Sequence, residues 1–260
     1  MKKRESLDLA LILIWPIIAT IFSFLFKLNA FGSIITFLII PSLYLSIQGK
    51  GYVKKAAIFS AILSIPTIIA IDYMAQVTDT WLVNTVSILP FKFFELVTFE
   101  VILWAFFTCY FIVIFYEYFL DKHVTHKLWK PKMKYLILIL LIGFSTFLVS
   151  FFKLKFLMNI PYFYLFWGIL LLAIPFLIQI LKYSKTTSKF FIAAAYFFYL
   201  NFLYEVAGLK LGWWIFQGTQ YLGWVSLFGV GFPIEEVLFW FILMAFGVLS
   251  YYEYFDDDEK

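Results

Sequence analysis

Apolar stretches of 18 or more residues recur along the whole 260-residue chain, and they rule out most of the ways it could fold. Each is long enough to cross the roughly 30 Å hydrocarbon layer as a helix, where backbone amides must find their partners within the segment. Eight spans are expected, at about 7–26, 31–48, 56–74, 93–119, 135–157, 161–181, 190–206 and 234–255. A soluble domain does not carry 64% hydrophobic and 23% aromatic residues at a mean hydropathy of +0.94. The fold class is therefore an all-α, polytopic integral membrane protein.

The opening MKKRESLDLALILIWPIIATIFSFLF is basic and then apolar, but no small-x-small cleavage site follows, so it is expected to remain as the first span. Cys109 is the single cysteine, which excludes a disulfide framework and a thiolate metal site. The net charge of +4 is spread over short loops, where it describes topology and not affinity for nucleic acid. With a cytoplasmic N-terminus, the inner segments carry 15 Lys and Arg and the outer segments 5 (Lys27, Lys92, Lys153, Lys155 and Lys210). By the positive-inside rule both termini are then cytoplasmic, with a bacterial inner membrane as the expected location.

Parts of the chain occur twice. FYEYFLD at 115–121 returns as YYEYFDD at 251–257, an offset of 136 that also lays Glu100 and Trp104 on Glu236 and Trp240. An offset of 133 lays Asp72 on Glu205, Trp81 on Trp214 and Asn84 on Gln217. Weaker matches join Pro41 to Pro175 at 134 and Phe26-Lys27-Leu28 to Phe152-Lys153-Leu154 at 126. Acids and tryptophans are rare in apolar helices, so pairs that keep their spacing carry the inference. Residues 1–130 and 131–260 are expected to be two tandem four-helix repeats. An even number of spans per copy gives them parallel orientation, about an axis along the membrane normal.

A carboxylate at membrane depth costs a few kcal/mol, so acids within spans usually face a protein interior or a cavity. Glu235 and Glu236, in GFPIEEVLFW, are therefore candidates, with Glu100 as the partner in the first half. The competing reading is that Pro233 opens the helix and the glutamates decorate a first turn that favours negative charge. Each half also supplies an acid (Asp72, Glu205), a tryptophan nine residues on (Trp81, Trp214) and an amide three beyond (Asn84, Gln217). In each half a glutamate then lies four residues before a tryptophan, on one helix face. Interfacial belt residues, packed tryptophans and loop acids are the ordinary explanations of the same residues. Asp79 and Glu95 have no counterpart in the other half and read as loop charges.

Other signals are weaker. His123 and His126 form an H-x-x-H without an acid or cysteine to complete a metal set, and no metal is expected. Asp256, Asp257, Asp258 and Glu259 read as a solvated tail. Glycines between Gly208 and Gly231 suit either a compact re-entrant cap or a flexible loop.

No phosphate loop, dinucleotide fingerprint, HExxH or nucleophile elbow is present. A carboxylic acid in an apolar pocket can hold its proton near neutrality and act as a general acid. Aromatic faces can stabilise a carbocation by roughly 0.5–2 kcal/mol per contact. Acid, aromatic cage and access from lipid together suit proton-initiated cyclisation of an isoprenoid alkene, which is redox-neutral and needs no cofactor.

An acid, a W-x-x-N/Q segment, a glycine-rich approach and PIEE leading into an aromatic helix resemble the lycopene cyclase domain of the non-flavin, integral-membrane carotenoid cyclases, in the fused two-repeat form. By that resemblance Pro233, Glu235 and Glu236 carry over from the family's P-x-E-E pattern; in the first half the aligned tetrad is Val97, Thr98, Phe99 and Glu100, and Glu100 alone carries over. The resemblance implies an intramolecular lyase or isomerase acting on a lipid-soluble carotenoid. Its implied catalytic acids are Glu236 with Glu100, Glu235, Asp72 and Glu205. Trp104, Trp240, Trp81, Trp214, Asn84, Gln217 and Pro233 would lie about the substrate. Membrane lipids and other carotenoid-pathway enzymes are the expected partners. The alternatives are a carotenoid hydratase, a non-catalytic carotenoid binder and an ion-coupled carrier. An intramembrane CAAX-type protease is disfavoured, because Trp240 stands where its EExxxR motif needs arginine.

Overall fold

The computed structural model describes residues 3–83, 90–121, 128, 130–182 and 186–256. Among them, eight helices are long and apolar enough to cross a membrane: α1 (Arg4–Phe26), α2 (Ala30–Gln48), α3 (Val53–Val77), α4 (Phe99–Asp121), α5 (Met133–Lys153), α6 (Phe163–Lys182), α7 (Thr187–Leu211) and α8 (Glu236–Phe255). Local chemistry sets their ends. Asn29 caps α2 by accepting from the Gly32 amide at 2.8 Å, and Thr98 caps α4 by accepting from Val101. Gly212 closes α7 with φ +72°, a left-handed turn that costs a residue without Cβ little.

Two helices widen in the same way. A π-helical stretch at Ile35–Ile39 precedes Pro41 in α2, and one at Ile169–Ala173 precedes Pro175 in α6. Proline has no N–H to donate and its ring crowds the carbonyl four residues back, so the regular ladder is displaced just before it. A third π-helical stretch, Glu236–Leu243, opens α8. There Asn201 of α7, fully buried, donates from its side-chain amide to the Trp240 carbonyl at 2.9 Å.

The helices pack in a crossed pattern. α3 lies along α4 and α7 along α8, while α1 packs on α7 and α5 on α3. α4, α7 and α8 are the most enclosed, whereas α1, α5 and α6 turn most of their apolar side chains outward. Reciprocal contacts join α4 to α8: the Tyr116 hydroxyl donates to Glu253, and the Tyr252 hydroxyl donates to Glu117. Nearer the other end of these helices the Trp104 and Trp240 rings meet, with centroids 4.7 Å apart.

At that end short antiparallel strands tie the connections together. β1 (Leu82–Val83) pairs with β4 (Trp214–Ile215), Leu82 opposite Ile215 and Val83 opposite Trp214. β2 (Lys92–Phe93) pairs with β3 (Val97–Thr98), and β5 (Trp224–Leu227) with β6 (Val230–Pro233). The glycine-rich approach to α8 is thus an ordered hairpin, and Pro233 ends a strand instead of opening a helix.

Two expectations change. The span expected from residue 93 begins at Phe99, because 92–98 forms the β2–β3 hairpin, turning at Phe94 and Glu95 with positive φ. Asp256 is not solvated: it is 2% exposed, and its amide closes the last turn of α8 on the Tyr252 carbonyl. The rest of the acidic tail (Asp257, Asp258 and Glu259), Asn84, and the His123 and His126 pair lie outside the described residues.

Candidate functional site

An elongated cavity of about 320 Å³ runs between α3, α4, α5, α6 and α8, and four acids line it: Asp72, Glu100, Glu205 and Glu236. They come from the C-terminal portions of α3 and α7 and from the first turns of α4 and α8, so all four gather at the end where the short strands lie. Glu100 and Glu236 sit at helix starts, where the dipole favours a nearby acid. The rest of the wall is almost wholly apolar and aromatic.

Each α3/α7 acid is held by its own tryptophan. Trp81 Nε1 donates to Asp72 at 2.8 Å, and Trp214 Nε1 donates to Glu205 at 2.8 Å. The nine-residue spacing works because the chain leaves the helix, turns and returns through β1 or β4, bringing the indole back over the last helical turns. A hydrogen bond to an ionised group contributes about 1.5–3 kcal/mol, so each tryptophan fixes both its acid and the strand it adjoins.

Beyond that likeness the two acids differ. Asp72, 1% exposed, also accepts from Gln76 Nε2 at 2.7 Å, and the same amide reaches the Leu96 carbonyl at 3.3 Å. The residue 133 positions after Gln76 is Leu209, which has nothing to donate. Glu205 instead meets Glu236: the two side chains are in hydrogen-bonding contact. Two carboxyl groups in contact form an acid–carboxylate pair when one of them carries a proton. The Tyr164 hydroxyl of α6 adds a donor to Glu236 Oε2 at 2.5 Å. The residue 134 positions before Tyr164 is Ala30, so the first half lacks this hydroxyl.

Glu235 and Glu236 part company because neighbouring helix residues point about 100° apart. Glu236 faces the cavity. Glu235, fully buried, points away and accepts from the Leu222 amide at 2.7 Å, pinning the segment before β5 to the start of α8.

Around the acids, Trp81 stands edge-on to Tyr164, with centroids 5.4 Å apart, and Tyr164 in turn meets Phe239 at 6.0 Å. Tyr204 meets Trp214 at 5.4 Å. Trp104 and Trp240 line the cavity together, one turn below Glu100 and Glu236. The buried indole N–H groups of Trp104 and Trp167, both lining the cavity, have no hydrogen-bond partner among the described residues.

Of the residues expected at a site, Asp72, Glu100, Glu205, Glu236, Trp81, Trp104, Trp214 and Trp240 line this one cavity. Gln217 is exposed, Pro233 is buried in β6, and neither borders it. Tyr164, Trp167, Phe239 and Gln76 were not foreseen. Only the aromatic density of PYFYLFWG at 161–168 hinted at the first two. Comparison with protein-family models, curated proteins and solved structures finds no match to this chain.

Proposed function

We propose that the chain is a membrane enzyme that closes the end group of a linear isoprenoid by acid catalysis, in the manner of a lycopene cyclase. The observation that carries this reading is the carboxyl pair Glu205–Glu236, with Tyr164 donating to it, at one end of an apolar cavity walled by aromatic rings. With one proton on the pair, an acid and a carboxylate stand side by side there, and that is what a redox-neutral cyclisation consumes and regenerates. The protonated acid gives its hydrogen to the terminal C=C, leaving a tertiary carbocation. The π electrons of a neighbouring C=C form the ring-closing C–C bond and move the charge into the ring. A carboxylate then removes a ring proton, restoring a C=C and the acid. Trp104 and Trp240 present π surface a turn below the acids, where the charge passes.

The same reading takes residues 1–130 and 131–260 as two copies of a four-helix unit about an axis along the membrane normal. Its support is that contacts between the halves join matched residues: Leu82 with Ile215, Trp104 with Trp240, and the exchanged Tyr116–Glu253 and Tyr252–Glu117 bonds. The paired π-helical stretches before Pro41 and Pro175 keep an offset of 134. On this reading, which takes the membrane as a bacterial inner membrane, the lysine distribution favours cytoplasmic termini and acids toward the outer leaflet. That placement at one end disfavours an ion-coupled carrier, whose acids belong near the midplane.

The test is expression in a bacterium that accumulates lycopene, with pigments separated by chromatography and read by absorbance and mass. Products of unchanged mass with the shorter-wavelength spectrum of ring-closed ends are expected, and their loss in Glu236→Gln. A product heavier by one water would replace cyclase with hydratase. Unaltered lycopene, with the protein in the membrane, would overturn both.

A further inference from the structure

The cavity does not stop at the acids. Along α8 its wall runs from Glu236 to Tyr251, 15 residues on, and along α4 from Glu100 to Cys109. At 1.5 Å per residue the α8 wall alone is about 22 Å long, most of the hydrocarbon thickness. A lining that runs this far along both α4 and α8 suits an extended chain better than a compact ligand. Below the acids the wall is mostly apolar; its polar atoms are isolated hydroxyls and indole N–H groups, those of Thr108, Trp104 and Trp167 among them, and among the described residues no charged side chain stands there to seat a headgroup or an ion.

The far part of the wall is formed by α5. Ile139 borders the cavity and is 57% exposed, and its neighbours Leu138, Leu141 and Ile142 are exposed without bordering it. Ile139 lies six residues into α5, which starts at the end remote from the acids. The cavity therefore meets the surrounding lipid on this flank.

We infer that the protein seats a single extended isoprenoid chain end-on, its end group at Glu205 and Glu236 and its tail running past Trp104 and Val248 to leave for the lipid beside Ile139. This rests on the proposed reaction for the identity of the end group, but not for the seating itself. Only the first part of the chain is measured by the protein. Substrates are then selected by a linear shape and an uncyclised end, while the far end is free to vary.

The experiment uses full-length protein in lipid nanodiscs and squalane, a saturated linear isoprenoid with no alkene to protonate. In a Cys109→Ala background, Ile139→Cys reports the proposed exit, and Leu181→Cys, 83% exposed on α6 and away from the cavity, serves as control. Squalane at about four times its Kd leaves a fifth of the sites open, so maleimide labelling at 139 is expected to slow by roughly fivefold while labelling at 181 is unchanged. A second variant, Val248→Trp, fills the bore and should abolish the protection. Equal labelling at both positions with and without squalane, in protein that stays folded, overturns the inference. Protection by squalane with no conversion of lycopene would sink the proposed reaction alone. Conversion of lycopene without protection would sink the seating alone.

Discussion

Replacing Tyr164 with phenylalanine removes one oxygen and leaves the ring that packs on Trp81 and Phe239. What disappears is the 2.5 Å donation to Glu236 Oε2. The carboxyl remains buried at 6% exposure, with Glu205 beside it. A hydrogen bond to a charged group contributes about 1.5–3 kcal/mol, and about 1.4 kcal/mol is tenfold in rate. If the bond holds Glu236 in its reactive orientation, Tyr164→Phe lowers conversion by roughly 10–150-fold. The assay is the initial rate of ring-closed pigment formation in lycopene-accumulating cells, normalised to protein in the membrane. The conserved ring shape should keep that amount near the parent's. A rate within twofold of the parent, alongside an inactive Glu236→Gln, would refute the claim that this hydroxyl positions the acid.

Three further outcomes concern stability and are independent of the reaction. Tyr252→Phe should destabilise the folded protein by about 2 kcal/mol and Tyr116→Phe by about half that, since Glu117 is 1% exposed whereas Glu253 is only partly buried; unfolding in mixed micelles measures both. Gly168→Ala places a Cβ 2.3 Å from the Phe239 ring, an overpacking expected to cost about 1–3 kcal/mol, and Phe239→Leu added to it should restore much of that on the same unfolding curves. Burial raises the Tyr221 pKa above its ordinary value, and its hydroxyl donates to the Thr80 carbonyl. Its contribution is therefore complete below about pH 10 and falls as pH rises toward the folded-state value, so an alkaline unfolding series should be shallower in Tyr221→Phe.

The spans were legible because hydropathy measures the property that inserts a helix. What it misses is backbone geometry: Phe93, Phe94, Leu96 and Val97 are as apolar as the helix that follows, yet they form a hairpin because Phe94 and Glu95 take positive φ and Thr98 supplies a cap. The nine-residue acid–tryptophan spacing stood out because both residue types are rare in such segments, and the hydrogen bonds at 2.8 Å supply its physical content. Tyr164 and Gln76 are not legible in the sequence, because the residues at the matching offsets, Ala30 and Leu209, carry no polar group. Adjacency in the sequence pairs Glu235 with Glu236, but neighbours on a helix point about 100° apart.

Those differences between matched positions bear directly on how many reactive centres one chain holds. Asp72 accepts from two N–H groups, whereas Glu205 stands against Glu236, the acid that Tyr164 also reaches, and in the proposed reaction this pair is the proton donor and acceptor. On the reading developed above, one chain processes one end group at a time, with the rest of the substrate lying out beside Ile139. A substrate with two identical ends must then withdraw, turn round in the lipid and re-enter before its second end can react. Withdrawal of a loosely held hydrocarbon is concentration-dependent on re-entry, so the singly cyclised product should accumulate first and the doubly cyclised one should lag behind it. Sampling pigments at early times after induction tests this. Doubly cyclised product appearing without a lag, at all protein levels, would mean that the Asp72 and Glu100 side of the cavity works as a second centre.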